Sequence, residues 1–511
     1  MVGPNRLVSR AGRAARWTGE VRARGAVGIA IGAVAALVVS ACGSGSGSSA
    51  PSSGGHLDSN GATKKGGSAT MLVTGISARF DPVSAFAFGF VSNGPMNAIY
   101  GLLTYSDAAT NTIKMGFLKS LSHDATSTVW TAKLTPGLKF SDGTPFDAAA
   151  IAFNLKRAAD STTGSLFVKD AQAITPTVVD PTTLTMTLKS PNVHFDAVLT
   201  EDFAYVGSPT AIQKDGDKFG TSPVGAGPFK VKSIDGTNAM VLEPNPNYAL
   251  FAPDQPRLDS LTFQFLADFS KEAQAMAANQ AQLAPPYGGD AVKQFTALPN
   301  VTVATNQLGA GSDIQMSFKR PPFNDPRARE AISLALDRDP IANAFQPGTP
   351  AQTTLFPPDS PYYDAKYTYP KQDKARAQQL FDQLAAEGNP VNFTYTTTDQ
   401  TPALNTAQVV QSQLAAFKNV KMTIRSETTA EYITDQHGGN YQMIPNGLYL
   451  INPIPELQNY FVTGGSLNTM GYSNPKVDAA INDLLTQTDK QKQLADYGVI
   501  QEQTIADHAV Y

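Results

Sequence analysis

Cysteine is nearly missing from this chain. Cys42 is the single one among 511 residues, so no disulfide can form within it. Tryptophan is scarce as well, with only Trp17 and Trp130. The five histidines (His56, His123, His194, His437, His508) are scattered and show neither H-x-x-E-H nor H-x-x-x-H spacing, so no helix-borne metal site is readable. G-x-S-x-G and the Walker loop are also missing, which removes the hydrolase-elbow and P-loop signatures. Ser473-Asn474-Pro475-Lys476 fits the S-x-x-K pattern of penicillin-recognising enzymes, but the accompanying motifs are not there. Beyond residue 42 no apolar run reaches the ~20 residues that cross a bilayer. No internal repeat of roughly 20–50 residues is visible. These absences argue against an enzyme, and neither a cofactor nor a metal is expected.

What is present begins at the front. Arg6, Arg10, Arg13, Arg16, Arg22 and Arg24 stand against one acid, Glu20, and precede an uncharged apolar run from Gly25 to Ala41. Positive, then apolar, then small is the order of an export signal. Ser40-Ala41-Cys42 closes the run and resembles a bacterial lipobox, whose cysteine becomes the lipidated first residue of the mature protein. The alternative is an ordinary membrane anchor, for which 17 residues is marginal against a span of ~20. Glycine and serine then dominate to residue 68, a flexible tether with nothing to pack. The expected organisation is a signal peptide over 1–41 and a lipidated Cys42 opening a linker over 42–68. The folded part then sits at the extracytoplasmic face of the cell membrane. Without residues 1–41 the chain holds 33 basic and 42 acidic side chains, a net charge of −9, which argues against nucleic acid as a partner.

The remaining length suggests two or three domains. Residues 69–75 read as a buried strand, followed by a turn at Phe80-Asp81-Pro82, and Met96 to Leu103 as the end of a helix. Val129 to Leu134 and Leu138 to Phe140 alternate at period two around Pro136-Gly137, which predicts a hairpin. Asp147 is placed to cap a helix through Arg157. Strands are expected at Leu184–Leu188, Phe229–Ile234, Met240–Glu243 and Leu261–Leu266, and a helix at Ser270–Gln282. Asp325 and Pro326 open a helix expected to run to Arg338. Val391–Thr396, a helix from Leu404 to Lys418, and Val420–Arg425 form a strand–helix–strand unit, which implies a parallel crossover and an α/β lobe. Ligands of such lobes bind at the carboxyl ends of the strands.

Several stretches together resemble one family, the extracellular family 5 (dipeptide/oligopeptide-binding) receptors of ABC importers. Phe80-Asp81-Pro82 is similar to its opening "LDP", and Ile99 to Tyr105 to "lYEgLv.y" with Gly101 in place of the glutamate. Leu138 to Phe146 matches "vkFhDGtpf", Gly225 to Phe229 "GTGPF", and Asn245 to Tyr248 "NpdY". Pro322 to Asp325, Arg329 to Ile332 and Leu336 to Arg338 match "PFnDvrvReAl..AlDR", and Tyr472 to Asp478 matches "ysNpevD". Seven motifs in order over about residues 69–500 are specific where each alone is weak. The resemblance implies an α/β fold: a two-lobed clamshell of the periplasmic-binding-protein kind, with an extra β-rich subdomain in lobe I. On this basis lobe I spans 69–304 with the subdomain at about 105–195, and lobe II spans 305–495. Residues 496–511 return toward lobe I, and the chain stops where members usually continue. The motifs themselves read as turns and caps rather than as ligand contacts.

The implied function is a membrane-tethered, monomeric receptor that closes on a solute and delivers it to permease and ATPase subunits. Oligopeptide is the leading solute. An oligosaccharide or other polar ligand, a tethered envelope hydrolase, and a surface sensor or adhesion protein remain alternatives. By the same resemblance the cleft is bordered by Arg79, Phe80, Gly311, Ser312, Asp313, Asn446, Leu448, Tyr449, Ile451 and Asn452. In the family's peptide binders a "GW…D…DP" segment offers a tryptophan to the ligand and an aspartate to its ammonium. Here Leu448 and Ile451 stand at those positions, and an ammonium enclosed without a counter-charge is costly. Asp313 is the alternative acid. Gly309 to Asp313 is expected as a turn whose small residues let backbone amides approach a ligand, and Tyr449 as a stacking ring or a rim tyrosine.

Overall fold

The computed structural model describes residues 65–73, 80–83, 93–107, 112–236, 238–248, 254–266, 271–286, 288–304 and 310–511. Cys42, the tether up to residue 64, Arg79 and Gly309 lie outside the described residues. In the first half the strands are β1 (Ser68–Val73), β2 (Thr104–Asp107), β3 (Thr112–Met115), β4 (Leu118–His123), β5 (Val129–Leu134), β6 (Ile174–Asp180), β7 (Thr183–Leu188), β8 (Phe229–Asp235), β9 (Ala239–Pro244) and β10 (Ser260–Phe265). The second half adds β11 (Ala310–Met316), β12 (Val391–Thr398), β13 (Val420–Glu427) and β14 (Met443–Tyr449). They form sheets in the orders β1-β10-β9-β8, β4-β5-β7-β6 and β11-β14-β12-β13, with β2-β3 a separate pair. The β4–β7 sheet is wholly antiparallel, and one face of it carries Trp130, Ala132, Leu134, Leu184 and Met186 into the core.

The α/β unit of the second half forms as its pattern requires. β12 and β13 run parallel in the register Val391↔Val420 to Thr398↔Glu427, joined by the helix Thr401–Leu414. That helix buries Thr406, Ala407, Val410 and Leu414, one stripe at helical spacing, against Val391, Phe393 and Tyr395. Each fully buried aliphatic or aromatic side chain of this kind contributes about 1.5–3 kcal/mol.

Four expectations need correction. Leu138–Phe140 does not pair with β5, whose edges are both taken by β4 and β7. Residues 138–146 instead fold into a tight turn, with Lys139 bridged to Pro145 and Asp142 accepting from the Thr144 amide at 2.9 Å. Alternation reported which side chains face inward, but it carries no information about the partner strand. The helix after Asp325 ends at Ala335, because Leu336 is extended and Asp337 caps a second helix, Arg338–Phe345. The helix expected over 270–282 is confined to Glu272–Ala277. Finally, after the helix Lys490–Ala506 the chain does not return to the first-half sheet. Val510 bridges Gln315, and Tyr511 exchanges backbone bonds with Ile314 at 2.7 and 3.0 Å, along the free edge of β11.

The motifs do structural work. Asp81 receives both Nη1 and Nη2 of Arg157 at 2.6 Å, which ties the Phe80 turn to the helix Ala148–Ala158 capped by Asp147. Gly225 and Gly227 press onto the end of the helix Asn93–Tyr100. A Cβ on Gly225 would lie 2.3 Å from the Ile99 carbonyl oxygen, and one on Gly227 would lie 2.5 Å from that of Ala98. Backbone cannot yield to such contacts as a flexible side chain can. Gly227→Ala is expected to cost about 1–3 kcal/mol, the scale of overpacking, read as a lower midpoint in thermal unfolding.

Candidate functional site

β11 and β14 are antiparallel neighbours in the register Gly311↔Leu448, Ser312↔Gly447 and Asp313↔Asn446. This pairing brings together two segments separated by more than a hundred residues. Gly309 to Asp313, expected as a turn, is strand from Ala310 onward because its backbone is paired with β14. A cavity of about 210 Å³ opens beside the pair. Its walls include Gly311, Ser312, Asp313, Asn446 and Leu448, together with Arg338, Ile341 and Phe345 from the helix that Asp337 caps. Tyr369, Tyr395 and Tyr511 complete an aromatic lining.

Asp313 is 8% exposed, and neither carboxylate oxygen has a hydrogen-bond partner. Burial pushes its pKa up to about 7, opposed by the neighbouring Gln315 amide. Arg338 donates through Nη1 to the Pro370 carbonyl at 2.7 Å. Its guanidinium lies over the Tyr511 ring at 4.3 Å and the Tyr369 ring at 5.1 Å. Its Nη2 is buried with no partner, and burial lowers its pKa. Tyr395 Oη, Asn446 Nδ2 and Tyr511 Oη are likewise buried and unpartnered. Buried polar atoms without partners each cost about 1–3 kcal/mol. Six such atoms, from Asp313, Arg338, Tyr395, Asn446 and Tyr511, belong to residues that line this cavity.

The other expected residues lie apart from this cavity. Phe80 is fully buried in an apolar cluster with Tyr100, Phe219 and Phe229, and its carbonyl accepts from Tyr100 Oη at 2.5 Å. Leu450 lines the cavity in the place expected for Ile451. Tyr449 ends β14, and Ile451 and Asn452 follow it outside the cavity wall. Asn452 donates instead to Ser106 Oγ at 2.7 Å and to Glu201 Oε1 at 3.0 Å, joining the second half of the chain to the first. Asn459 reaches Asp202 at 3.4 Å, and Val193 N donates to the Leu485 carbonyl at 2.8 Å in the same junction. Burial, joined by repulsion from Glu456 on Glu201 and from Asp202 on Glu456, raises both pKa values well above the usual carboxylate range.

Arg338 and the three tyrosines were not singled out from the sequence. The "LDR" stretch signalled Arg338 only as part of a family pattern, and no local signal joins Tyr369, Tyr395 and Tyr511. Ser473 and Lys476 are exposed at the start of the helix Pro475–Leu484, capped by Asn474, and Ser473 Oγ accepts from Thr463 at 2.9 Å. Among the described residues no group of three or more His, Cys, Asp or Glu could hold a metal ion, and no helix is long and apolar enough to cross a membrane.

Residues 112–468 match the family described as bacterial extracellular solute-binding proteins, family 5 Middle. The chain is 27% identical over 476 residues to the glutathione-binding protein GsiB of Pectobacterium atrosepticum, covering 86% of this chain and 90% of that one. Its fold is similar to that of the binding protein AgaA in complex with agropinic acid from A. tumefaciens R10, with a TM-score of 0.78, 20% identity, and 87% and 91% of the two chains covered. It is also similar to the oligopeptide-binding protein AppA from Bacillus subtilis in complex with a nonapeptide, with a TM-score of 0.76, 18% identity, and 88% and 92% covered. These likenesses show a two-lobed α/β binding-protein fold.

Asp313 makes a measurable prediction. Its folded pKa lies above the unfolded value near 4, so the proton it holds stabilises the empty protein fully below pH ~4, and that contribution is lost as pH rises through about 7. Asp313→Asn, which does not titrate, should therefore be more stable than the wild type above pH 7, by on the order of 2–4 kcal/mol, with the gap closing toward pH 4. Denaturant unfolding of both proteins across this range measures it. Equal slopes would place a partner on Asp313.

Proposed function

The chain belongs to the bacterial extracellular solute-binding proteins, family 5, and from that membership we propose that it is the receptor of an ABC importer. Lipid on Cys42 tethers it to the outer face of the cell membrane. Its two lobes, 69–304 and 305–495, close on a short peptide or peptide-like solute and present it to the permease, which the ATPase subunits drive. Closure follows because the solute touches both lobes only when they meet, so binding shifts the population toward the closed form. The observation that carries the reading is the group of unpartnered buried polar atoms around the cavity at β11 and β14. The names of the relatives, glutathione-binding and oligopeptide-binding, support a peptide-like solute.

Native mass spectrometry of the purified protein tests this reading directly: it should carry a small solute that is released unchanged. Small-angle scattering of the emptied protein should show compaction when that solute is restored. Turnover of the solute into products would instead make the chain a hydrolase.

Trp130 should stay silent during closure. It is 4% exposed in β5, its indole N–H donates to the Asn192 carbonyl at 3.1 Å, and its ring packs on His123 and Phe195. It does not line the cavity. Saturating solute is expected to leave tryptophan emission within a few per cent while scattering changes. Strong quenching would move the solute site into the β4–β7 sheet.

The anchor has its own test. Cys42→Ala should release the protein from the membrane fraction or leave its signal uncleaved, since lipid on that sulfur is the only membrane attachment in this reading. Unchanged retention with a mature N-terminus elsewhere would refute lipidation.

A further inference from the structure

Resting on the reading that the two halves of the chain close and separate, we propose that their junction is a proton-operated latch. Glu201 of the first half and Glu456 of the second are buried together only when at least one of the pair holds a proton, so closing takes a proton from water and opening returns it. Glu201 ends the helix Phe195–Glu201 and is 4% exposed, and Glu456 lies in the first turn of the helix Pro453–Phe461 and is 3% exposed. The two helices pack on each other across the junction. Leu199, Phe203, Ile454 and Leu457 belong to one buried apolar cluster, a setting in which an uncompensated charge is costly.

The charged groups that face the pair are acids. Asp202 repels Glu201 and Glu456, and Asp170, on the helix Val168–Gln172, repels Asp202. From the cavity side Asp313 and the Tyr460 hydroxyl face Glu456. No lysine or arginine is among the charges felt by Glu201, Asp202 or Glu456. Lys169 acts on Asp170 and donates its ammonium to the Gly464 carbonyl at 2.8 Å. The partners reaching across the junction are otherwise neutral donors: Asn452 to Glu201 at 3.0 Å, Asn459 to Asp202 at 3.4 Å, and the Ser466 hydroxyl to Asp170. Such donors satisfy lone pairs without cancelling charge. The Glu456 carboxyl accepts from the Tyr449 amide, yet its Oε2 is buried with no partner. A proton makes one oxygen of a carboxyl a donor among acceptors, and like charges sharing a buried site do not both persist.

The direction with pH follows. Burial raises the pKa values of both glutamates well above the usual range. The gain from closing is therefore complete below the ordinary value near ~4 and is lost as pH rises through the higher closed value. Asp196, which faces His194 and His123, is raised by burial and works in the same direction. His194 meets the second half at the Leu484 carbonyl and works in the opposite direction. Burial lowers its pKa, so acid disfavours its closed position.

Hydrogen exchange of the purified full chain, freed of solute and resolved to single amides by fragmentation mass spectrometry, tests this. The Val193 amide donates across the junction to the Leu485 carbonyl, whereas the Asn192 amide bonds within the first half to Ser127. After correction for the intrinsic exchange rate, protection at Val193 should fall at least tenfold from about pH 5 to about pH 9, while that at Asn192 holds. Glu456→Gln keeps an acceptor for Tyr449 and carries a permanent donor. It should not lose protection over this range and should exceed the wild type at least tenfold at the alkaline end. His194 is common to both proteins, so their ratio reads the carboxyls alone. Asn452→Asp sets a further acid against Glu201 and should steepen the fall, which keeps the test alive where Glu456→Gln does not fold. Wild-type protection at Val193 that stays flat or rises with pH would overturn the proposal, because His194 by itself gives a rise. A Glu456→Gln protein that falls as the wild type does, or an Asn452→Asp protein no steeper than it, would also overturn it. Flat protection together with compaction by the restored solute would refute the latch and leave the receptor reading. Falling protection with no solute-driven compaction would leave the latch and refute the receptor.

Discussion

The antiparallel pairing of β11 with β14 is the constraint on which the rest of the second half depends. It sets Asp313 opposite Asn446 and Gly311 opposite Leu448, residues that no local interaction could bring together. Because side chains alternate across a strand, a slip of one residue would turn Asp313 to the other face and dismantle the cavity wall. Several contacts fix the register. β14 also pairs with β12 at Tyr395↔Met443, both fully buried, and the free edge of β11 is covered by Val510 and Tyr511. The last residues of the sequence thus hold the strand that carries the buried acid, and Tyr511 also faces the guanidinium of Arg338.

The sequence motifs were legible because they encode local geometry. A capping aspartate, a proline at a helix start and a glycine pressed on a helix end each solve a problem within a few residues of backbone. Asp147, Asp325 and Gly225 do what their types suggest. Long-range pairing was less readable. The alternation at Val129–Leu134 gave the correct inward face, yet it could not name β4 and β7 as partners. Asp337 was hidden within an apparently continuous helix because its capping role depends on Leu336 turning extended, which the pattern of apolar residues does not reveal. Five residues of the cavity wall, Gly311, Ser312, Asp313, Asn446 and Leu448, were expected from likeness to a family. Arg338 and the three tyrosines come from four separated segments whose meeting depends on packing.

Two groups of buried charge differ in how they are satisfied. At the junction between the halves, Glu201 and Asp202 receive Asn452 and Asn459 across the boundary, so their hydrogen-bonding partners belong to the protein itself. Amides suit this use because they donate to a carboxylate whether or not it is ionised. Burial raises the pKa values of Glu201 and Glu456 well above the usual carboxylate range. In the cavity the carboxylate oxygens of Asp313 and the Nη2 of Arg338 lack such partners, although Gln315, Asn446 and Tyr395 stand nearby with unpartnered atoms of their own.

That contrast bears on how binding and closure divide the work. Contacts such as Asn452 with Glu201 join the two halves away from the cavity, so in the proposed receptor they would hold the halves together without choosing among solutes. Selection must come from groups whose burial is costly until the right partner arrives. A site that hydrogen-bonds a specific polar group rejects an analogue lacking it far more strongly than an apolar pocket rejects one of the wrong size, because the protein's own buried atoms are then left unpaired. Leu448 and Leu450 are buried side chains that line the cavity. In the proposed receptor the orphaned carboxylate and guanidinium would make a wrong occupant expensive.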